Sequence, residues 1–349
     1  MKIAQVSPLM EAVPPKLYGG TERIVAYIAD ELADMGHDVT LFASGDSVTR
    51  ARLEAPWPRA LRLDETIRDY LAPHIIMLET IARRADEFDV IHLHVDYIGY
   101  PTIQRTGVPF LATLHGRLDL PELQPLYDMF DEVPVVSISD SQREPLPQAN
   151  YVATVHHGLP ERLLSPGFGS GGYLAFIGRI SPEKAPDAAI RIAVAAGMKL
   201  KIAAKVDKVD RDYFAEKIVP LLSLPHVEFI GEINDTEKSE FLGNAAGLIF
   251  PIAWREPFGL AMIEAMACGT PVIAMRLGSV PEVIEEGVTG CIVDNEADAA
   301  EAARHLHRFD RGRIRRVFEQ RFTARRMTED YLNIYRRLIA RRQNLREAV

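Results

Sequence analysis

The chain has 349 residues, 47% of them apolar and 26% charged, and 40 Lys and Arg stand against 49 Asp and Glu for a net charge of −9. This is a globular mixture with length for about two domains of roughly 150 residues each; it excludes a disordered chain and argues against a nucleic-acid binder. Two cysteines, Cys268 and Cys291, exclude a zinc cluster or disulfide framework, and no apolar run reaches the roughly 18 residues of a membrane span, so a cytoplasmic protein is expected.

Short apolar runs at 3–6, 39–43, 90–93, 110–114, 133–138 and 152–155 read as buried strands. Helical stretches such as 21–35 lie between them, and this alternation predicts βαβ units and a parallel sheet. Tyr18-Gly19-Gly20-Thr21-Glu22 opens the first helix. Gly19 and Gly20 allow backbone amides to approach a ligand, and the helix N-terminus favours an anion; an ordinary strand-to-helix turn reads equally from the same residues. There is no Gly-x-Gly-x-x-Gly and no Gly-Lys-Ser or Gly-Lys-Thr, so neither a nicotinamide dehydrogenase nor a P-loop is suggested.

His92 and His94 alternate on one strand. Their spacing suits a metal, but packing in the core or a cleft is the preferred reading. His115 ends the strand after Thr113-Leu114, at the carboxyl edge where open α/β sheets bind ligands. It is the histidine expected to function. Ser139, Asp140 and Ser141 close another strand, where they cap the next helix or touch a ligand.

Residues 160–172 hold Pro166, Gly167, Gly169, Gly171 and Gly172, the composition of an interdomain linker. The strand pattern then restarts at 174–177, 200–203, 227–230, 247–250, 272–274 and 291–293. Gly178-Arg179-Ile180-Ser181-Pro182-Glu183-Lys184 follows the first of these. Pro182 is expected to start a helix, and Arg179 with Lys184 to converge on a diphosphate. Further on, Glu256 precedes Pro257-Phe258-Gly259, and Glu264 follows on the next helix, eight residues away. Carboxylates accept paired hydrogen bonds from sugar hydroxyls; two solvated acids would be the plain alternative. Gly278-Ser279-Val280-Pro281 reads as a turn or as a backbone cap for phosphate. From about residue 297 the chain is helical. Met327, Tyr331, Ile334, Tyr335 and Leu338 form an apolar stripe, and 14 arginines stand against 4 acidic residues between 304 and 346. That basic stretch reads as a solvated face or as a contact with an anionic membrane.

Taken together these motifs resemble glycosyltransferase family 4, retaining enzymes of the GT-B fold, over essentially the whole chain. The most specific element is the pair Glu256 and Glu264 around Pro257-Phe258-Gly259. The resemblance implies two Rossmann-like parallel-sheet domains facing a cleft. An acceptor-binding domain would span 1–160, with 161–171 as linker and a nucleotide-sugar-binding domain at 172–325; a final helix, 326–349, would cross back to the first domain. Arg179 and Lys184 would bind the donor diphosphate, Glu256 the sugar hydroxyls and Glu264 the ribose. Phe258, Gly259 and Leu260 would offer backbone amides, Gly19 and Gly20 would approach the diphosphate, and His115 would contact the sugar near the reacting carbon. Many members have a glycine-rich turn after the strand at 200–203. This chain has Ala203-Ala204-Lys205-Val206-Asp207, which places Lys205 beside the nucleotide.

The implied reaction moves a hexose, glucose being commonest, from a nucleotide diphosphate sugar, UDP being commonest, with retention. No Asp-x-Asp at a strand end suggests a metal, so metal independence and no cofactor are expected. The acceptor would be a small molecule, a sugar or a lipid-linked group, held by loops 10–17, 44–59 and 117–126, which carry Pro14, Pro15, Trp57, Arg117 and Asp119. The basic C-terminal region would place the protein near the inner face of a membrane. A phosphorylase, an epimerase or a non-catalytic sugar-nucleotide binder is the competing reading of the same fold.

Overall fold

The structure is a computed structural model describing residues 1–16 and 19–347. It forms two compact units, Met1–Gly158 together with the segment from Ala324, and Leu159–Thr323.

The first unit is built on seven strands, β1 (Lys2–Val6), β2 (Asp38–Ser44), β3 (Arg52–Trp57), β4 (Val90–Leu93), β5 (Phe110–Thr113), β6 (Val135–Ser137) and β7 (Tyr151–Thr154). They form one parallel sheet in the order β3-β2-β1-β4-β5-β6-β7. Helices α1 (Gly20–Asp34), α2 (Leu71–Arg83), α3 (Tyr100–Ile103) and α4 (Leu123–Met129) connect them. Alternate strand residues Ala4, Val6, Ile91, Leu93 and Ala112 join Met77, Leu78 and Ile103 in one core. The other face carries Gln5, His92 and Thr113, all fully buried. Strand β3 falls in the 44–59 stretch expected as a loop. It is a half-exposed edge strand carrying Pro56, so it lacks the continuous apolar run of a central parallel strand.

The second unit has six parallel strands, β8 (Tyr173–Arg179), β9 (Lys199–Lys205), β10 (Val227–Gly231), β11 (Gly247–Phe250), β12 (Val272–Met275) and β13 (Gly290–Val293), in the order β10-β9-β8-β11-β12-β13. Its helices are α5 (Pro186–Ala196), α6 (Arg211–Tyr213), α7 (Asp235–Asn244), α8 (Leu260–Ala267), α9 (Val280–Val283), α10 (Glu296–Arg304) and α11 (Arg311–Arg321). The stretch 161–171 is no free tether but packs within this unit. Gly167 donates its N–H to the Cys268 carbonyl at 3.0 Å, and a Cβ on it would lie 2.3 Å from the Gly243 carbonyl oxygen.

The last helix, α12 (Ala324–Glu347), belongs to the first unit and packs on α1. The basic C-terminal stretch is therefore divided between the units. Three of its arginines are tied down by backbone carbonyls. Arg311 donates to the carbonyls of Gly167, Gly243 and Ala245, Arg315 to those of Glu161, Leu164 and Ala267, and Arg326 to those of His156 and His157. Planar guanidinium forks satisfy several carbonyls at once. No helix among the described residues is long and apolar enough to cross a membrane.

Candidate active site

Arg179 is the last residue of β8. The turn after it does not become helical at Pro182. Helix α5 starts at Pro186, behind Ala185, whose φ of 48° is left-handed. Lys184 lies in this turn, which is tied to the segment after β11 by the Ala253 N–H donating to the Glu183 carbonyl at 2.9 Å. The Lys184 ammonium donates to Glu256 Oε2, and the same oxygen accepts from Trp254 Nε1 at 2.7 Å. Glu256 is 8% exposed, and burying a carboxylate is costly unless it is paired and hydrogen-bonded; this one is both.

Arg179 has other partners, lying 3.4 Å from Asp210, 3.8 Å from Glu183 and 4.0 Å from Asp207. Lys205, the last residue of β9, pairs with Asp207 at 2.9 Å. Arg179 and Lys184 thus hold separate carboxylates instead of meeting at one. An Asp-x-Asp does stand past β9, at Asp210-Arg211-Asp212, but Asp210 is turned to Arg179. Among the described residues no group of three or more His, Cys, Asp and Glu side chains is arranged to hold a metal ion.

Gly259 precedes α8 at φ 81°, and a Cβ there would lie 2.8 Å from Met262 Cε and 2.9 Å from Phe250 Cζ. Only glycine fits. Helix α8 starts at Leu260 without a side-chain cap, so its first amides and its dipole suit an anion. Residues 278–279 brace this loop. The Ser279 N–H donates to the Glu256 carbonyl at 3.0 Å and its hydroxyl to the Phe258 carbonyl at 2.7 Å. A Cβ on Gly278 would lie 2.4 Å from the Glu256 carbonyl oxygen. The turn holds Glu256 in place rather than capping a phosphate with that amide. Glu264, on α8, accepts from Lys238 on α7 at 2.7 Å, and both side chains are buried. Lys238 went unrecognised in the sequence because nothing local marks a lysine on a polar helix as buried.

A cavity of about 620 Å³ opens at the carboxyl ends of β8, β11, β12 and β13, lined by Pro182, Asp187, Arg191, Tyr213, Arg276 and Glu296 among others. It contains none of the expected site residues. Its charges are paired among themselves, Arg191 with Asp187 and Glu296 and Arg276 with Asp294. The Glu256 loop, with its braced carboxylate and uncapped helix, is the stronger candidate for sugar-nucleotide chemistry.

In the first unit, Gly19 precedes α1 and Gly20 begins it, again without a side-chain cap; Tyr18 lies outside the described residues. A Cβ on Gly19 would meet Pro15 at 2.9 Å. Glu22 in the first turn is buried, and burial raises its carboxyl above the ordinary range, with Glu11 adding to the rise. Arg117 and Asp119 pair with one another at 2.6 Å on the surface.

His115 sits beyond β5, partly exposed. Its Nε2 lies 2.9 Å from His94 Nδ1, and its ring stacks on His157 with centroids 5.3 Å apart. Burial pushes its pKa down to about 3. The buried amide of Gln142 fixes its backbone, donating to the carbonyls of Leu114 at 2.9 Å and Gly116 at 2.8 Å. Ser139 accepts from the Gln142 N–H at 3.1 Å, so it braces this bracket. Gln142 and Asp96, two residues past His94 and left-handed at φ 49°, are residues that sequence reading passed over. Positive φ at a non-glycine residue was the one property that could have marked Asp96, and it is visible only in three dimensions.

Residues 18–203 match the model for glycosyltransferase family 4, and residues 168–321 match that for glycosyl transferases group 1. D-inositol 3-phosphate glycosyltransferase of Acidothermus cellulolyticus is 26% identical over 93% of this chain and 87% of its own length. Among solved structures, AviGT4, a glycosyltransferase involved in avilamycin A biosynthesis, is 26% identical with a TM-score of 0.73, covering 97% of this chain and 98% of its own. The fold is shared with sucrose-phosphate synthase of Thermosynechococcus elongatus, at 19% identity, a TM-score of 0.79 and coverage of 97% and 99%. It is shared also with HepE of Anabaena in complex with UDP and glucose, at 17% identity, a TM-score of 0.74 and coverage of 96% and 99%. With the family model spanning more than half of the sequence and a GT-B fold common to these glycosyltransferases, the chain belongs to glycosyltransferase family 4.

Proposed function

We propose that the protein is a retaining hexosyltransferase that takes a nucleotide diphosphate sugar, UDP-glucose first among candidates, and transfers the sugar to a hydroxyl acceptor without a metal or other cofactor. The observation that carries this reading is Glu256, a buried carboxylate gripped by Lys184 and Trp254 and braced by Gly278-Ser279, beside the uncapped start of α8. Glu256 binds sugar hydroxyls and Glu264 the ribose. The amides of Phe258, Gly259 and Leu260 receive the phosphates. On donor binding, Lys184 and Arg179 turn part of their charge from their carboxylate partners to the diphosphate. Lys205 and Asp207 border the nucleotide.

In the reaction the bond from the anomeric carbon to the phosphate oxygen breaks, its electron pair goes to the diphosphate, and the acceptor oxygen bonds the carbon from the same face. The acceptor proton passes to the leaving phosphate. Preorganised donors around that phosphate stabilise the developing charge. The loops of the first unit serve the acceptor, while Gly19 and Gly20 serve the donor diphosphate and His115 the donor sugar near its reacting carbon. The acceptor is a polyol, sugar or lipid-linked hydroxyl; the name of the inositol phosphate relative favours a phosphorylated polyol as the first compound to assay.

The test is a thermal-shift panel of UDP, GDP, ADP and their glucose and mannose conjugates, followed by turnover with EDTA present. One nucleotide raising Tm well above the others, and turnover that EDTA leaves unchanged, support the reading. No shift with any nucleotide overturns the donor site, and turnover abolished by EDTA and restored by magnesium or manganese overturns metal independence.

A further inference from the structure

The inner face of a buried parallel sheet is ordinarily filled by Val, Ile and Leu. In the first unit that face carries Gln5, His92, His94 and Thr113, and α12 lays Tyr331 and Tyr335 over it; none of the six is more than 1% exposed. Polar groups at this depth are costly unless each finds a partner. Here they find one another. Gln5 Nε2 donates to the Tyr335 hydroxyl at 2.9 Å, and that hydroxyl lies 2.7 Å from His92 Nδ1. His92 Nε2 lies 2.7 Å from Thr113 Oγ1, which donates to the Tyr331 hydroxyl at 3.0 Å. In the other direction, His94 Nε2 lies 2.9 Å from Gln5 Oε1, and His94 Nδ1 lies 2.9 Å from His115 Nε2.

With the Gln5 amide nitrogen on Tyr335 and its oxygen on His94, proton accounting gives this chain one direction. An amide oxygen only accepts, so His94 Nε2 carries a hydrogen. Burial holds His94 and His92 well below the ordinary imidazole pKa, so each ring is neutral with a single N–H. His94 Nδ1 then accepts, and the hydrogen between the two rings belongs to His115 Nε2. On the other side, the Gln5 amide donates to Tyr335, Tyr335 to His92 Nδ1, and His92 Nε2–H to Thr113. Each imidazole nitrogen of His92 and His94 then faces a group of complementary role, and turning the Gln5 amide would reverse every bond together.

We infer that Gln5 and Tyr335 are positioning residues that hold His115 as its Nε2–H tautomer, so that its Nδ1 is an acceptor for a hydroxyl of the bound substrate. The last helix, through Tyr335, thereby sets the chemistry of a ring some 220 residues earlier in the chain. The consequence for catalysis rests on the reading of His115 given above; the tautomer itself does not.

The experiment is long-range proton–nitrogen correlation NMR on protein labelled with ¹⁵N-histidine, with His115 assigned by its loss in His115→Asn. Wild-type His115 should show a protonated Nε2 and a bare Nδ1. Tyr335→Phe and Gln5→Leu should convert that signal to a mixture of tautomers and lower kcat about tenfold with little change in donor KM. Gln5→Glu, whose neutral carboxyl offers the same acceptor and donor, should keep the Nε2–H form. A wild-type His115 protonated at Nδ1 overturns the proposal even if no variant folds, as does a tautomer unmoved in both Tyr335→Phe and Gln5→Leu. Activity that survives His115→Ala overturns the catalytic reading of that ring, a separate result that leaves the tautomer assignment standing.

Discussion

Lys238 Nζ lies 2.7 Å from Glu264 Oε1, with only 11% and 8% of the two side chains exposed, and Asp235 stands 3.3 Å from the same ammonium. Removing one partner of a buried pair strands the other charge. Lys238→Met should therefore destabilise the second unit by about 3 kcal/mol, whereas Lys238→Met with Glu264→Leu should recover most of that loss. Thermal denaturation of the two variants is the check. Equal Tm values for Lys238→Met and wild type would mean that the pair contributes nothing.

Gly278 packs on the backbone of Glu256, and its φ of +56° disfavours any side chain. Gly278→Ala pushes backbone against backbone, so it should cost about 1–3 kcal/mol in stability and displace the Glu256 carboxylate. Activity should fall much further than Gly36→Ala makes it fall. Gly36 is also at positive φ, but a Cβ on it meets nothing within 4 Å. Comparable activity losses in the two variants would remove the bracing role.

Glu256→Gln keeps the shape of the side chain and removes its charge. It should lower kcat by about 100-fold or more while leaving Tm within a few degrees of wild type. Lys184→Ala should lower turnover to a similar degree. Near-wild-type turnover in both would move the donor site away from this loop.

The buried histidines make stability depend on pH. Burial holds the pKa values of His74, His92, His94, His115 and His157 below the ordinary 6.5. The unfolded chain therefore binds more protons than the folded one once the pH drops below about 6.5. The stabilisation from keeping these rings neutral is fully present above that pH and is lost as the pH falls toward the folded values. The slope approaches about 1.4 kcal/mol per pH unit for each ring. Urea denaturation of the first unit at pH 8, 7, 6 and 5 should show a flat region and then a falling midpoint. His94→Gln should flatten the fall, and a midpoint that rises below pH 6.5 would contradict the assignment.

Central strands such as β11 and β12 were legible because a strand buried on both faces is a continuous apolar run, and β1 and β4, which keep most of that run around Gln5 and His92, were legible with them. β3 was not, because an edge strand needs to be apolar on neither face throughout. The start of α5 was misplaced at Pro182 because two prolines, Pro182 and Pro186, both suit a first helical turn, and the contact of the Glu183 carbonyl with the Ala253 N–H decided between them. Glycines 19, 259 and 278 stood out in the sequence, but what they accommodate did not: Gly278 serves the Glu256 backbone rather than a phosphate.

The alternation of strands and helices, the two sheets and the spacing of Glu256 and Glu264 are readable along the chain, since they follow from local periodicity and short motifs. The partners emerge on folding: Lys184 with Glu256, Lys238 with Glu264, and Tyr335 with Gln5 and His92. Those pairings join residues 26 to 330 positions apart. A side chain's charge, tautomer and hydrogen-bonding role depend on what folding brings within 3 Å of it, and no local pattern carries that information.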